Sequence, residues 1–222
     1  MPSPPASEAE LIARAEHIAG LTLGELAQQC AYPLPRDLKK HKGVVGDLLE
    51  VALGATAKST PVPDFEHLGI ELKTIPLNEK LKPRESTHVC SVTLSELGAQ
   101  RWADSTVRHK LARVLWIPIE AQTSIALTAR RIGRACLWSP SAAEETILRR
   151  DWEEHMELLV TGQIEQLDAR MGTYLQVRPK AANRDALAAT SDSSGAPSAT
   201  LPRGFYLRPR LTARILSGAD SL

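Results

Sequence analysis

An α/β or α+β domain is predicted by three features of the sequence. Capped helical stretches with apolar faces fill the chain as far as Gly54. From Pro61 the period changes to a strand-like alternation that runs to Leu77. A long capped helix then opens at Ser139 and is followed by short extended segments. No internal repeat interrupts this order, so one domain covering residues 1–222 is expected.

The elements follow in turn. Residues 1–6 read as a loose tail. Ser7 and Glu10 form a capping box, and Leu11, Ala15, Ile18 and Ala19 recur at helical spacing until Gly20. Thr22 and Glu25 open a second helix that stops before Pro33 and Pro35. After the basic run Lys39-Lys40-His41-Lys42, the stretch from Gly43 to Leu53 is a strongly apolar helix. Glu50 is out of place among its valines and leucines. A carboxylate near a core needs a cation, a metal or a narrow solvent edge. Pro61 and Pro63 hold the backbone extended into Asp64, and Gly69 permits a turn. Ile70 to Leu77 then alternates, with Ile70, Leu72 and Thr74 on one face and Glu71, Lys73 and Ile75 on the other. Thr87 to Leu94 is a second extended stretch, expected to pair with the first. Val114 to Ile119 reads as a buried strand.

Ser141 and Glu144 cap the longest helix, which is expected to reach about Leu167 and to bury Ile147, Trp152, Met156 and Leu159. Tyr174 to Arg178 and Gly204 to Arg208 read as strands, and Thr212 to Leu216 as a short helix. The Ser/Ala/Gly-rich stretch from Ala188 to Thr200 reads as a flexible loop.

Composition sets bounds on function. The 222 residues are 43% hydrophobic and 24% charged with a formal net charge of +1, which excludes a histone-like polycation but not a basic groove. Cys30, Cys90 and Cys136 are far apart and odd in number, as expected of reduced thiols rather than a disulfide framework or zinc site. Met1-Pro-Ser-Pro-Pro lacks the basic and apolar regions of a signal peptide, and no apolar run approaches the roughly 20 residues of a membrane helix. A cytoplasmic location is the default expectation.

The chemistry concentrates in Asp64, Glu71 and Lys73. Two carboxylates can hold magnesium, which takes oxygen ligands and keeps several waters. A lysine two residues beyond the second carboxylate shares its strand face. Such a group suits phosphodiester hydrolysis, in which Mg2+ polarises the phosphate and lysine offsets charge. Glu50 could add a ligand or orient a water, and Lys110 could add positive charge. The spacing alone is cheap, since on the order of one such match is expected by chance in a chain this long. Its alternative is a loop aspartate beside an exposed strand edge. His109, between Arg108 and Lys110, reads as a phosphate contact or a surface residue, and the other histidines show no metal-ligand spacing. Positive charge collects in the last quarter. From Asp168 onward eight basic residues face four acidic ones, a net +4, which reads either as an arm that grips DNA or as a solvated basic face. Arg178-Pro179-Lys180 sets two long donors about a rigid turn, suited to guanine edges, and Tyr206 adds a planar hydroxyl-bearing ring.

Several collinear blocks resemble one known family. They are Lys42-Gly43 through Leu48-Leu49-Glu50, Asp64-Phe65, Leu68-Gly69-Ile70-Glu71-Leu72-Lys73-Thr74-Ile75-Pro76, Val107-Arg108-His109-Lys110-Leu111, Arg113 to Pro118, Leu137 to Pro140, Tyr174 to Asn183, and Leu201 to Leu207. Together they are similar to the MutH family, the strand-discriminating endonucleases of methyl-directed DNA mismatch repair. The resemblance implies a type II restriction endonuclease-like fold, with a mixed central sheet flanked by helices and two lobes around a DNA cleft. It implies Mg2+-dependent nicking of the unmethylated strand at hemimethylated GATC, by a monomer activated by the MutL protein. On this sequence it makes Asp64 and Glu71 metal ligands, Lys73 the catalytic lysine, and Glu50 with Lys110 the accessory pair. Arg178, Pro179 and Lys180 match the base-reading loop of a basic arm over about 168–222. Tyr206 matches the residue near the sensed adenine, and Lys42 a backbone contact. His88 departs from the aromatic Phe, associated with DNA contact, that the resemblance leads one to expect there. The readings weighed against this one are a restriction endonuclease of the same fold that cuts both strands of GATC, and a DNA-binding module without catalysis.

Overall fold

The computed structural model describes residues 2–35, 43–57, 62–92, 100–168, 170–180, 188–191 and 197–218. In chain order its elements are α1 (Glu8–Ile18), α2 (Leu23–Gln29), α3 (Val44–Leu53), β1 (Glu71–Leu77), β2 (Thr87–Ser91), α4 (Thr106–Leu111), β3 (Val114–Glu120), β4 (Cys136–Trp138), α5 (Ala142–Val160), β5 (Leu175–Pro179), β6 (Ala188–Ser191), β7 (Pro197–Thr200), β8 (Arg203–Leu207) and α6 (Pro209–Ser217). The chain divides into two compact units. The first holds residues 1–85, 112–139 and 212–222, and the second residues 86–111 and 140–211. The segment expected as a basic arm, about 168–222, is therefore shared between both.

In the first unit β1 and β3 run parallel, with Glu71 opposite Val114 and Lys73 opposite Trp116. Short β4 adds antiparallel to β3, completing a mixed sheet in the order β1-β3-β4. Ile70, Leu72, Leu115 and Ile117 form one core with Leu11, Leu23, Leu48, Leu49 and Phe65 from the helical segments and the loop before β1. Removing this many large side chains from water is the main drive for the unit to fold. The caps follow the sequence. Thr22 with Glu25 makes a complete capping box. At α1 only half a box forms, because Glu10 accepts from the Ala6 N–H rather than from Ser7. The tail expected to be loose is held at two points: the Ser3 carbonyl accepts from Arg14 at 2.6 Å, and the Pro5 carbonyl is bonded to His67 at 2.6 Å.

In the second unit the sheet order is β2-β8-β5, antiparallel throughout. The strand at Thr87 thus pairs with β8 and not with β1, a correction to the expected pairing. Helix α5 has the predicted Ser141–Glu144 capping box. It ends at Val160 rather than near Leu167, because the Gly162 and Gln163 N–H groups turn back onto Leu159 and Leu158. Its buried stripe is Leu148, Asp151, Trp152, His155, Met156 and Leu159, so Leu148 takes the place expected for Ile147. The segment read as a flexible loop contains two strands paired antiparallel, β6 with β7.

Candidate active site and DNA-reading face

Asp64, Glu71 and Lys73 are brought together by a tight reversal at the start of β1. Phe65 and Ile70 exchange backbone hydrogen bonds of 2.9 and 3.3 Å around the intervening turn. Gly69 takes φ +66 at its end, a left-handed conformation that costs a glycine little. Asp64 is fixed on both sides. Its carbonyl accepts from Thr56 and Ala57 at 3.0 and 3.2 Å, and its Oδ2 accepts the Leu72 N–H at 2.8 Å. The carboxylate in the loop is thereby tied to the strand that carries the second one.

Glu71 is only 1% exposed, and Lys73 Nζ donates to its Oε1 at 2.5 Å. That burial excludes the solvated strand edge, since a buried carboxylate demands compensation. Glu50 is half-buried on α3. Burial pushes its carboxyl up to about 7, helped by repulsion from Asp64, Asp47 and Glu71, while Lys73 pulls the other way. Glu50 therefore stands in the field of the same carboxylates. Among the described residues no three or more His, Cys, Asp and Glu side chains form a ready metal cage. Magnesium does not need one: one or two carboxylates suffice when waters complete its shell. A buried and a pinned carboxylate with a third in their field fit such an ion.

The remaining candidates are in the second unit, apart from Lys42, which lies outside the described residues. Lys110 is on α4 and is 8% exposed, so it is not the solvated lysine its basic neighbours suggest. Arg178, Pro179 and Lys180 are exposed at the end of β5. The Lys180 N–H donates to the Pro202 carbonyl at 2.7 Å, and its Nζ donates to Ser91 Oγ at 2.7 Å. Tyr206 is on the central strand β8, opposite His88 on β2 and Gln176 on β5. The Arg178 guanidinium lies over the Tyr206 ring, 5.8 Å from its centroid. Burial raises the Tyr206 hydroxyl above its ordinary value, and Arg178 partly opposes the shift.

One residue of consequence was not singled out from sequence. Asp151 is fully buried, and its Oδ2 accepts the N–H groups of Thr173, Tyr174 and Leu175 at 2.6, 2.5 and 3.0 Å. It tethers the start of β5, the strand that leads to Arg178, to α5. The readable signal was its spacing, since 148, 151, 152, 155, 156 and 159 make one helical stripe.

Comparison with known proteins identifies the family. The family model for the DNA mismatch repair enzyme MutH matches residues 53–151, which include Asp64, Glu71, Lys73 and Lys110. The chain is 54% identical over 217 residues to the DNA mismatch repair protein MutH of Serratia proteamaculans (strain 568), covering 98% of this chain and 95% of that protein. It is 52% identical over 216 residues to the proteins of the same name from Yersinia pseudotuberculosis (serotype IB, strain PB1/+) and Yersinia pestis (strain Pestoides F), covering 97% of this chain and 95% of each. Identity at this level over nearly the full length of both partners means that the chain belongs to the MutH family of DNA mismatch repair enzymes.

Proposed function

We propose that this protein is the endonuclease that nicks the unmethylated strand at hemimethylated GATC sites in methyl-directed mismatch repair. The observation that carries the chemistry is the buried Glu71 carboxylate bonded to Lys73, beside an Asp64 tied to the same strand. Asp64 and Glu71 would hold Mg2+, which when bound polarises the scissile phosphate and makes water a better nucleophile. Lys73, held at 2.5 Å from Glu71, puts an ammonium where negative charge develops during displacement. Glu50, in the field of the same carboxylates, would add a ligand or orient the attacking water. Lys110 is the accessory cation carried over from the family resemblance.

Arg178 and Lys180, set about the rigid turn at Pro179, read guanine edges, and Tyr206 lies near the adenine whose methylation is sensed. Lys42 contacts the DNA backbone. The fold is of the restriction endonuclease-like class, the protein acts in the cytoplasm as a monomer, and MutL activates it. A single catalytic set suits one nick, because cutting both strands generally needs a second site or a dimer.

The test is a covalently closed plasmid carrying one hemimethylated GATC, incubated with Mg2+ with and without MutL. Nicked circles, increased by MutL, are expected. Linear product would favour the restriction enzyme that cuts both strands. Lys73→Ala should lower cleavage about a thousandfold and leave DNA binding intact; unchanged activity in that variant would mean that the acidic cluster is only structural.

A further inference from the structure

We infer that His88 is a positioning residue for Tyr206, holding the tyrosine ring in the orientation on which methyl discrimination depends. This rests on the reading that Tyr206 lies beside the sensed adenine. The two rings meet edge to face, with centroids 5.1 Å apart and planes at 67°. They belong to directly paired residues of neighbouring antiparallel strands, His88 of β2 and Tyr206 of β8. Cross-strand aromatic pairs of this kind restrain each other's rotamers.

Two features of the strands serve this contact. First, β2 carries a bulge: His88 faces Tyr206 while Cys90 faces Phe205, so Val89 is an extra residue. A bulge re-aims the side chains beside it. Here Val89 and Cys90 are both buried, 2% and 9% exposed, while His88 stays half-buried on the opposite face with Tyr206. Second, residue 204 is a glycine. A Cβ there would lie 3.1 Å from His88 Nε2 and 3.2 Å from its Cδ2, closer than ordinary contact. Gly204 therefore leaves the imidazole room to lie across β8 and reach Tyr206.

The tyrosine is restrained from other sides as well. Gln176, 5% exposed, is opposite Tyr206 on β5 and is held by its bond to Ser86 Oγ at 2.6 Å. Arg178, two residues further on and opposite Gly204, covers the ring face. Among the described residues, only on the β2 side is the contact an aromatic edge. Discrimination of one methyl group demands a ring held to a fraction of an ångström, so loss of that edge acts on the ratio between substrates rather than on the chemical step.

The experiment measures kcat/KM for nicking of a duplex with one GATC, hemimethylated or fully methylated, by wild type, His88→Ala, His88→Leu, His88→Phe, Tyr206→Ala and the His88→Ala/Tyr206→Ala double variant. The hemimethylated-to-fully-methylated ratio should fall about 2- to 10-fold in His88→Ala and in His88→Leu, which fills the space without an aromatic edge. His88→Phe should keep it, and the double variant should be no worse than Tyr206→Ala. A variant damaged only in folding loses both substrates together and leaves the ratio at the wild-type value. A wild-type ratio in His88→Leu, with Tyr206→Ala impaired, overturns the role of His88 alone. A wild-type ratio in Tyr206→Ala overturns the reading of Tyr206 on which the inference rests.

Discussion

Replacing Glu50 with Gln should make the protein more stable above pH 7 when divalent ions are chelated. The Glu50 carboxyl is pushed from an ordinary 4.5 up to about 7 by burial and by the carboxylates of Asp64, Asp47 and Glu71. Because the folded-state value is the higher one, the folded protein keeps a proton that the unfolded chain releases between these two values. The stability which that proton confers is complete below pH 4.5 and is lost as pH rises through 7. A shift of this size corresponds to at most about 3 kcal/mol. Solvent screening of a half-buried side chain reduces it to roughly 1–2 kcal/mol. Gln has the shape of the protonated acid and never ionises. Urea denaturation in EDTA should therefore show Glu50→Gln close to wild type at pH 4.5 and about 1–2 kcal/mol more stable at pH 8. Added Mg2+ should narrow the gap at pH 8, because a cation relieves the repulsion that the substitution removes. A difference that does not change with pH, or a variant weaker than wild type at pH 8, would refute the electrostatic account of the site.

Lys73→Ala removes the ammonium bonded to Glu71 and should lower nicking by about a thousandfold, with DNA binding by gel shift unchanged. Asp151→Ala leaves three N–H groups at the start of β5 without their acceptor and should cost about 3–5 kcal/mol by urea denaturation, whereas Asp151→Asn, which keeps one oxygen, should cost less. Gly204→Ala crowds His88 and the Cys90 carbonyl and should lower the methylation ratio in the same direction as His88→Ala.

The local half of this architecture was legible because local rules govern it. Ser141 with Glu144 and Thr22 with Glu25 announce helix starts, and both boxes form. Alternation from Ile70 assigned Ile70 and Leu72 to one face and Glu71 and Lys73 to the other, and the core contains the first pair. Strand partners were not legible. Period-two alternation defines the faces of the strand at Thr87 but carries no information about its neighbour, and β8 lies more than a hundred residues away. The end of α5 was misjudged because Ile164 and Leu167 continue the apolar spacing past the turn at Gly162. The pairing of β6 with β7 escaped because their small residues give alternation nothing to register. At the site, Asp64, Glu71 and Lys73 could be named from spacing, but only burial separates a buried Glu71–Lys73 pair from an exposed strand edge. Asp151 sits in the run Leu148-Arg149-Arg150-Asp151-Trp152-Glu153-Glu154, where charge on every side suggests a solvated face.

Under the proposed function, the Asp64–Glu71–Lys73 group cleaves one DNA strand chosen by methylation. Its most direct test is Mg2+-dependent nicking of unmethylated, hemimethylated and fully methylated GATC duplexes by wild type and Glu71→Ala, with the cut strand mapped. Wild type should cut unmethylated strands and cut the fully methylated duplex far more slowly, and Glu71→Ala should cut none. Cleavage by Glu71→Ala at the wild-type rate, or wild-type cutting that ignores methylation, would contradict it.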